Sequence, residues 1–178
     1  MKLNFVQRIP KLEQIMPVYA VIVVMIYPWS LLHFFWRLPS WIYFSTLGEI
    51  AVIFAYMVVV NLVESLLVLL APILLSIILP QKWFYDRFIT KGTLLILLGL
   101  GYLMYFNDHL TVESFPLDLV YWTPVVGAVI LGLVFLIDRI SFLDKVLKEL
   151  TNRLTVFLYI SVPVSLISLL TVLVRNIF

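Results

Sequence analysis

The chain has 178 residues, 63% of them hydrophobic and only 12% charged, with a mean hydropathy of +1.12. Those proportions exclude a water-soluble globular domain and place the chain in lipid, its length taken up by apolar runs with short polar connections. The lack of cysteine excludes disulfides, thiolate metal sites and cysteine nucleophiles, and a net charge of +2 with dispersed basic residues makes no nucleic-acid surface.

The N-terminal segment MKLNFVQRIPKLEQIM has the composition of a membrane-surface helix, interrupted by Pro10. No small-x-small cleavage site follows the apolar run after it, so that run reads as a permanent span rather than a removed signal. The first span is expected over residues 17–36, Pro17 to Trp36.

The next apolar run, Trp41 to Leu79, is awkward: one helix of that length would reach nearly 60 Å at about 1.5 Å per residue, yet for a hairpin of two full spans it is too short. Charge decides the matter. With a single span here, over residues 48–79, the N-terminus, the loop Pro80 to Lys91 and the loop Asp138 to Arg153 share one side. That side carries Lys2, Arg8, Lys11, Lys82, Arg87, Lys91, Arg139, Lys145, Lys148 and Arg153, against Arg37 and Arg175 on the other. Such an asymmetry marks the cytoplasmic face. The excess length is expected to form a short interfacial piece, SWIYFSTLG, before Gly48, with tilt of the rest.

Further spans are expected over 88–107, 119–137 and 154–174, with a cytoplasmic interfacial helix over about 141–152. In that helix Ser141 and Asp144 resemble a capping box, and Phe142, Leu143, Val146, Leu147 and Leu150 share one face. Trp29, Trp36 and Trp41, then Trp83 and Tyr85, then Tyr121 and Trp122 mark span borders as interfacial aromatic belts. The expected fold is an all-α integral membrane protein in one polytopic domain of five spans, N-terminus cytoplasmic and C-terminus outside. A bacterial inner membrane is the expected location.

The intramembrane polar residues are the candidates for function. Thr46, Glu49, Asn61, Glu64, Ser65, Pro72 and Ser76 occupy one half of the second span, with Val59, Leu62, Leu66, Leu70, Ile73 and Ile77 on the other, lipid-facing half. Asn61 and Glu64, three residues apart, are neighbours near its middle. No Lys or Arg matches their depth, so Glu64 is expected to be neutral and to donate a hydrogen bond, with Tyr102 and the row Ser161, Ser165, Ser168 as partners. Glu49 is expected to meet His33 or Arg37 at the outer boundary. Ala51 with Ala55, Ala128 with Gly132, and Gly99 with Gly101 are candidate seams of close helix approach, and Pro28, Pro72, Pro124 and Pro163 candidate bends.

The outer loop residues Asp108, His109, Glu113 and Asp118 match no cation-loop spacing, and two histidines make a thin case for a haem. No cofactor or metal is therefore expected. The chain lacks G-x-S-x-G, H-E-x-x-H and G-x-x-x-x-G-K motifs and any convincing internal repeat. The expectation is a non-catalytic membrane subunit or scaffold, with the bilayer and other membrane subunits or further copies of itself as partners. Two alternatives remain: a proton- or small-solute-conducting protein using Glu64, and an accessory subunit of an electron-transfer or light-harvesting complex.

Overall fold

The computed structural model describes residues 10–110, 117–137 and 141–177. Every element among them is helical: α1 (Leu12–Phe44), α2 (Leu47–Ile78), α3 (Phe88–Asp108), α4 (Leu117–Leu136), α5 (Ser141–Leu154) and α6 (Leu158–Ile177). Short 3-10 turns at Tyr85–Arg87 and Thr155–Phe157 lead into α3 and α6. Five helical stretches are long and apolar enough to cross a membrane, which makes the chain a multi-pass membrane protein. The last of these joins α5 to α6, but Asp144, Lys145, Lys148, Glu149 and Arg153 leave α6 as its apolar part.

The helix breaks differ from the sequence expectation at one place. SWIYFSTLG is not a separate piece, because Ser40 to Phe44 complete α1 and the chain breaks only at Ser45 and Thr46. Packing carries α1 past Pro39. The ring of Phe34 meets Trp41 at 5.3 Å and Phe54 of α2 at 5.4 Å, both edge to face, while Ser40 Oγ donates to the Arg37 carbonyl. Restarting the chain at α2 is a capping box: Glu49 N–H donates to Thr46 Oγ1, and the Glu49 carboxylate accepts from Thr46 N–H at 2.7 Å. Both helices of the resulting hairpin exceed 30 residues, so each is nearly 50 Å long, at about 1.5 Å per residue.

α1 is the central helix, packed against α2, α3, α5 and α6. Its first half supplies Val18, Val21, Ile22 and Ile26 to a core completed by Phe84, Phe88, Ile96, Leu100 and Val134. The tightest approach lies at Gly92 of α3, where an added Cβ would stand 3.3 Å from Val18 and 3.6 Å from Pro72. Gly99, Gly101 and Gly132, read from the sequence as seams, would meet nothing within 4 Å, and Ala51 is exposed while Ala55 is buried. Lys91, counted above among the loop charges, is buried in the first turn of α3, where its ammonium donates to the Trp83 carbonyl and lies 5.9 Å from the Phe135 ring.

α4 packs chiefly on α3, and only 6% of its most apolar stretch is buried. α5 lies against α1 and α3, burying Leu147 and Thr151 and accepting a hydrogen bond from Thr90 on Asp144. Phe142, Leu143, Val146 and Leu150 are left exposed on its neighbouring flank. The N-terminal segment expected to lie on the membrane falls mostly outside the described residues; its last part, from Leu12, is the first turn of α1.

Candidate functional site

The buried side of α2 follows from its spacing. Asn61, Ser65, Pro72 and Ser76 return at intervals of four, seven and four residues to one stripe, and all four are buried. The opposite half is not wholly given to lipid, since Ile73 packs against the core while Leu66 and Leu70 are exposed. The polar stripe meets α1. Ser65 Oγ donates to its own Leu62 carbonyl, so at 3.2 Å from it Tyr19 is the donor; Ser30 Oγ donates to Asn61 Oδ1 at 2.7 Å. Tyr19 and Ser30 were not singled out in the sequence. Their signal is the spacing of eleven residues, three turns of one helix face.

Glu64 stands one shoulder round from this stripe, about 60° from Asn61. It borders a cleft of about 740 Å³ between α1, α2 and α3. Trp29, Phe34 and Trp41 form one wall, Leu100 and Met104 another, and His33, Arg37 and Asn107 lie toward the end nearer the α1–α2 turn. Below Val68 and Leu100 the packed core of α1 and α3 begins. Asn61 also borders the cleft. It is 2% exposed, and its Nδ2 has no hydrogen-bond partner among the described residues.

The other expected partners lie elsewhere. Tyr102 faces α4, where its hydroxyl lies 2.8 Å from Thr123 Oγ1 and donates to the Leu119 carbonyl at 3.2 Å. The serine row of α6 faces α1: Ser165 donates to the Ser161 carbonyl and so accepts from Tyr27 at 2.7 Å. Ser168 is buried, and Ser161 Oγ has no partner among the described residues. None of these is brought to Glu64, because rotation of α3 and α6 about their axes aims them at α4 and α1. Glu49, about 22 Å from Glu64 along the helix, is occupied by Thr46 rather than by His33 or Arg37.

His33 and His109 repeat one arrangement. In each, Nδ1 lies within 2.9 Å of the carbonyl four residues back, which only accepts, so Nδ1 carries the proton and Nε2 is the free ring nitrogen. His33 lies within α1 and His109 caps the end of α3, its ring tilted 43° to that of Tyr105 with centroids 4.2 Å apart. Of the outer-loop residues weighed for a cation, Glu113 lies outside the described residues.

Fold and site together define a multi-pass helical membrane protein with a largely apolar cleft that carries a few polar side chains between three of its helices. Comparison with protein-family models, with curated proteins and with solved structures gave no match.

Proposed function

We propose that the chain is a non-catalytic helical membrane subunit or scaffold, oriented with the 79–87 connection and α5 on the cytoplasmic side of a bacterial inner membrane. The carrying observation is α4. It is fastened mainly to α3, through Tyr102 and Thr123, and leaves Gly127, Ala128 and Gly132 with open space beside them. In lipid, helices associate through close packing and hydrogen bonds rather than hydrophobic burial, and a smooth helix surface of this kind suits another membrane helix. The absence of cysteine in the chain allows a clean test. Ala128→Cys should cross-link in native membranes to a second subunit, or a second copy, in stoichiometric yield, while Ile160→Cys on α6 should not. Gentle purification yielding only monomer, with no cross-link from Ala128→Cys, would overturn the reading.

One observation favours a second reading. Glu64 borders the cleft together with Asn61, and an acidic residue at membrane depth is a candidate proton-binding group. In proteoliposomes holding a pH-sensitive dye, Glu64→Gln should then abolish proton or solute flux. Flux equal to that of the unaltered chain removes the assignment.

A further inference from the structure

We infer that the cleft between α1, α2 and α3 binds a lipid-soluble hydroxyl compound, whose single O–H is held between Asn61 and Glu64. The two residues are three apart on one helix, so their Cβ atoms lie about 5–6 Å from each other and one oxygen can reach both side chains. Asn61 brings a buried N–H with no acceptor among the described residues, a group whose desolvation is left uncompensated while it is unpaired. Its Oδ1 is already used by Ser30, which fixes the amide and turns Nδ2 into the remaining polar group. Glu64 brings an acceptor oxygen in either protonation state. A hydroxyl complements this pair: its oxygen accepts from Asn61 Nδ2 and its proton is donated to Glu64. A carbonyl would leave Glu64 without a donor whenever the carboxylate is ionised, and a protonated amine has no lone pair to accept from Asn61 Nδ2.

The rest of the cleft supplies an apolar body for that hydroxyl. Its volume of about 740 Å³ falls within the range of small-molecule pockets, and Ile26, Trp29, Leu67, Leu100 and Met104 line it around the polar pair. Water alone satisfies the pair but not these walls. The hydroxyl has two chemical sources within a membrane, an aliphatic alcohol of lipid type or the phenolic group of a hydroquinone. This inference goes beyond the subunit reading and does not depend on what covers α4.

Trp29 and Trp41 line the cleft and report on it directly. In full-length protein with Trp36, Trp83 and Trp122 replaced by Phe, a brominated long-chain alcohol should quench fluorescence saturably, at about tenfold lower concentration than the matched brominated alkane. Glu64→Leu should bring the two probes to parity, and Glu64→Gln, which keeps an acceptor oxygen, should preserve the preference. Asn61→Leu should also lose it. A short-tailed hydroquinone and the alcohol then compete: the tighter probe names the source, and both results support the site. Equal quenching by alcohol and alkane, quenching without saturation, or a preference unchanged in Glu64→Leu overturns it.

Discussion

Tyrosine is the residue that joins this bundle laterally. Tyr19, Tyr27 and Tyr102 each meet a Ser or Thr hydroxyl on a neighbouring helix, and each of those hydroxyls gives its own proton to a carbonyl three or four residues back. The acceptor is thereby oriented before the tyrosine arrives. Such interhelical bonds contribute about 0.6 kcal/mol in lipid, rising to about 1.7 at most. A double-mutant cycle of Tyr27→Phe and Ser165→Ala, followed by denaturant unfolding in detergent, should return a coupling energy in that range; zero coupling would remove the bond between α1 and α6. From the residues alone, Ser165 was legible as polar and helix-facing, but its partner was not. Tyr27 sits at a depth where several helices were equal candidates, and only the rotation of α6 chooses among them.

At the scale of elements, the break between α1 and α2 rests on the Thr46–Glu49 box. Replacing Thr46 by Val removes the side-chain acceptor for Glu49 N–H and should cost about 1 kcal/mol, read as a lower melting temperature in detergent. No change would mean that the Phe34, Trp41 and Phe54 rings alone hold the turn. This box was legible as T-x-x-E. The charge of Glu49 points instead to His33 or Arg37 as a mate, and this masks its position three residues after a threonine. Once the break is placed there, the antiparallel hairpin brings Ser30 opposite Asn61 and Phe34 opposite Phe54.

The docking of α5 carries a pH dependence. The Thr90 hydroxyl first, then the Lys148 ammonium, hold the Asp144 carboxyl below its ordinary value of 3.8. A carboxylate with a lowered folded pKa stabilises fully above its unfolded value, and that contribution disappears as the pH falls through the folded one. Stability measured from about pH 5 down to about pH 2 should therefore decline, and Asp144→Asn should flatten part of the slope. An identical slope in the variant would show that Thr90 and Lys148 do not favour the ionised form.

At the scale of the molecule, α1, α3 and α5 meet at the end that holds the buried Lys91 and the Thr90 to Asp144 bond, while His33, Arg37 and Asn107 lie toward the opposite end of the cleft. If the basic end is cytoplasmic, an impermeant thiol reagent applied to intact cells should label Asn107→Cys and not Lys82→Cys, and permeabilised cells should label both. The reverse pattern would invert the topology.

Hydropathy is summed along the chain, so the sequence by itself determined the solvent, the five apolar stretches and the amphipathic pattern of α5. The same summation made the polar stripe of α2 legible, because Asn61, Ser65, Pro72 and Ser76 recur on one face of a single helix. Only the tertiary structure decided which helix each stripe meets: Ser30 for Asn61, Tyr19 for Ser65, Tyr27 for Ser165, Thr123 for Tyr102. It also decided that Glu64 borders a cleft instead of a hydroxyl partner. The physical reason is that spacing within one helix records the angle between its own side chains, whereas contact depends on the rotation and order of helices relative to one another.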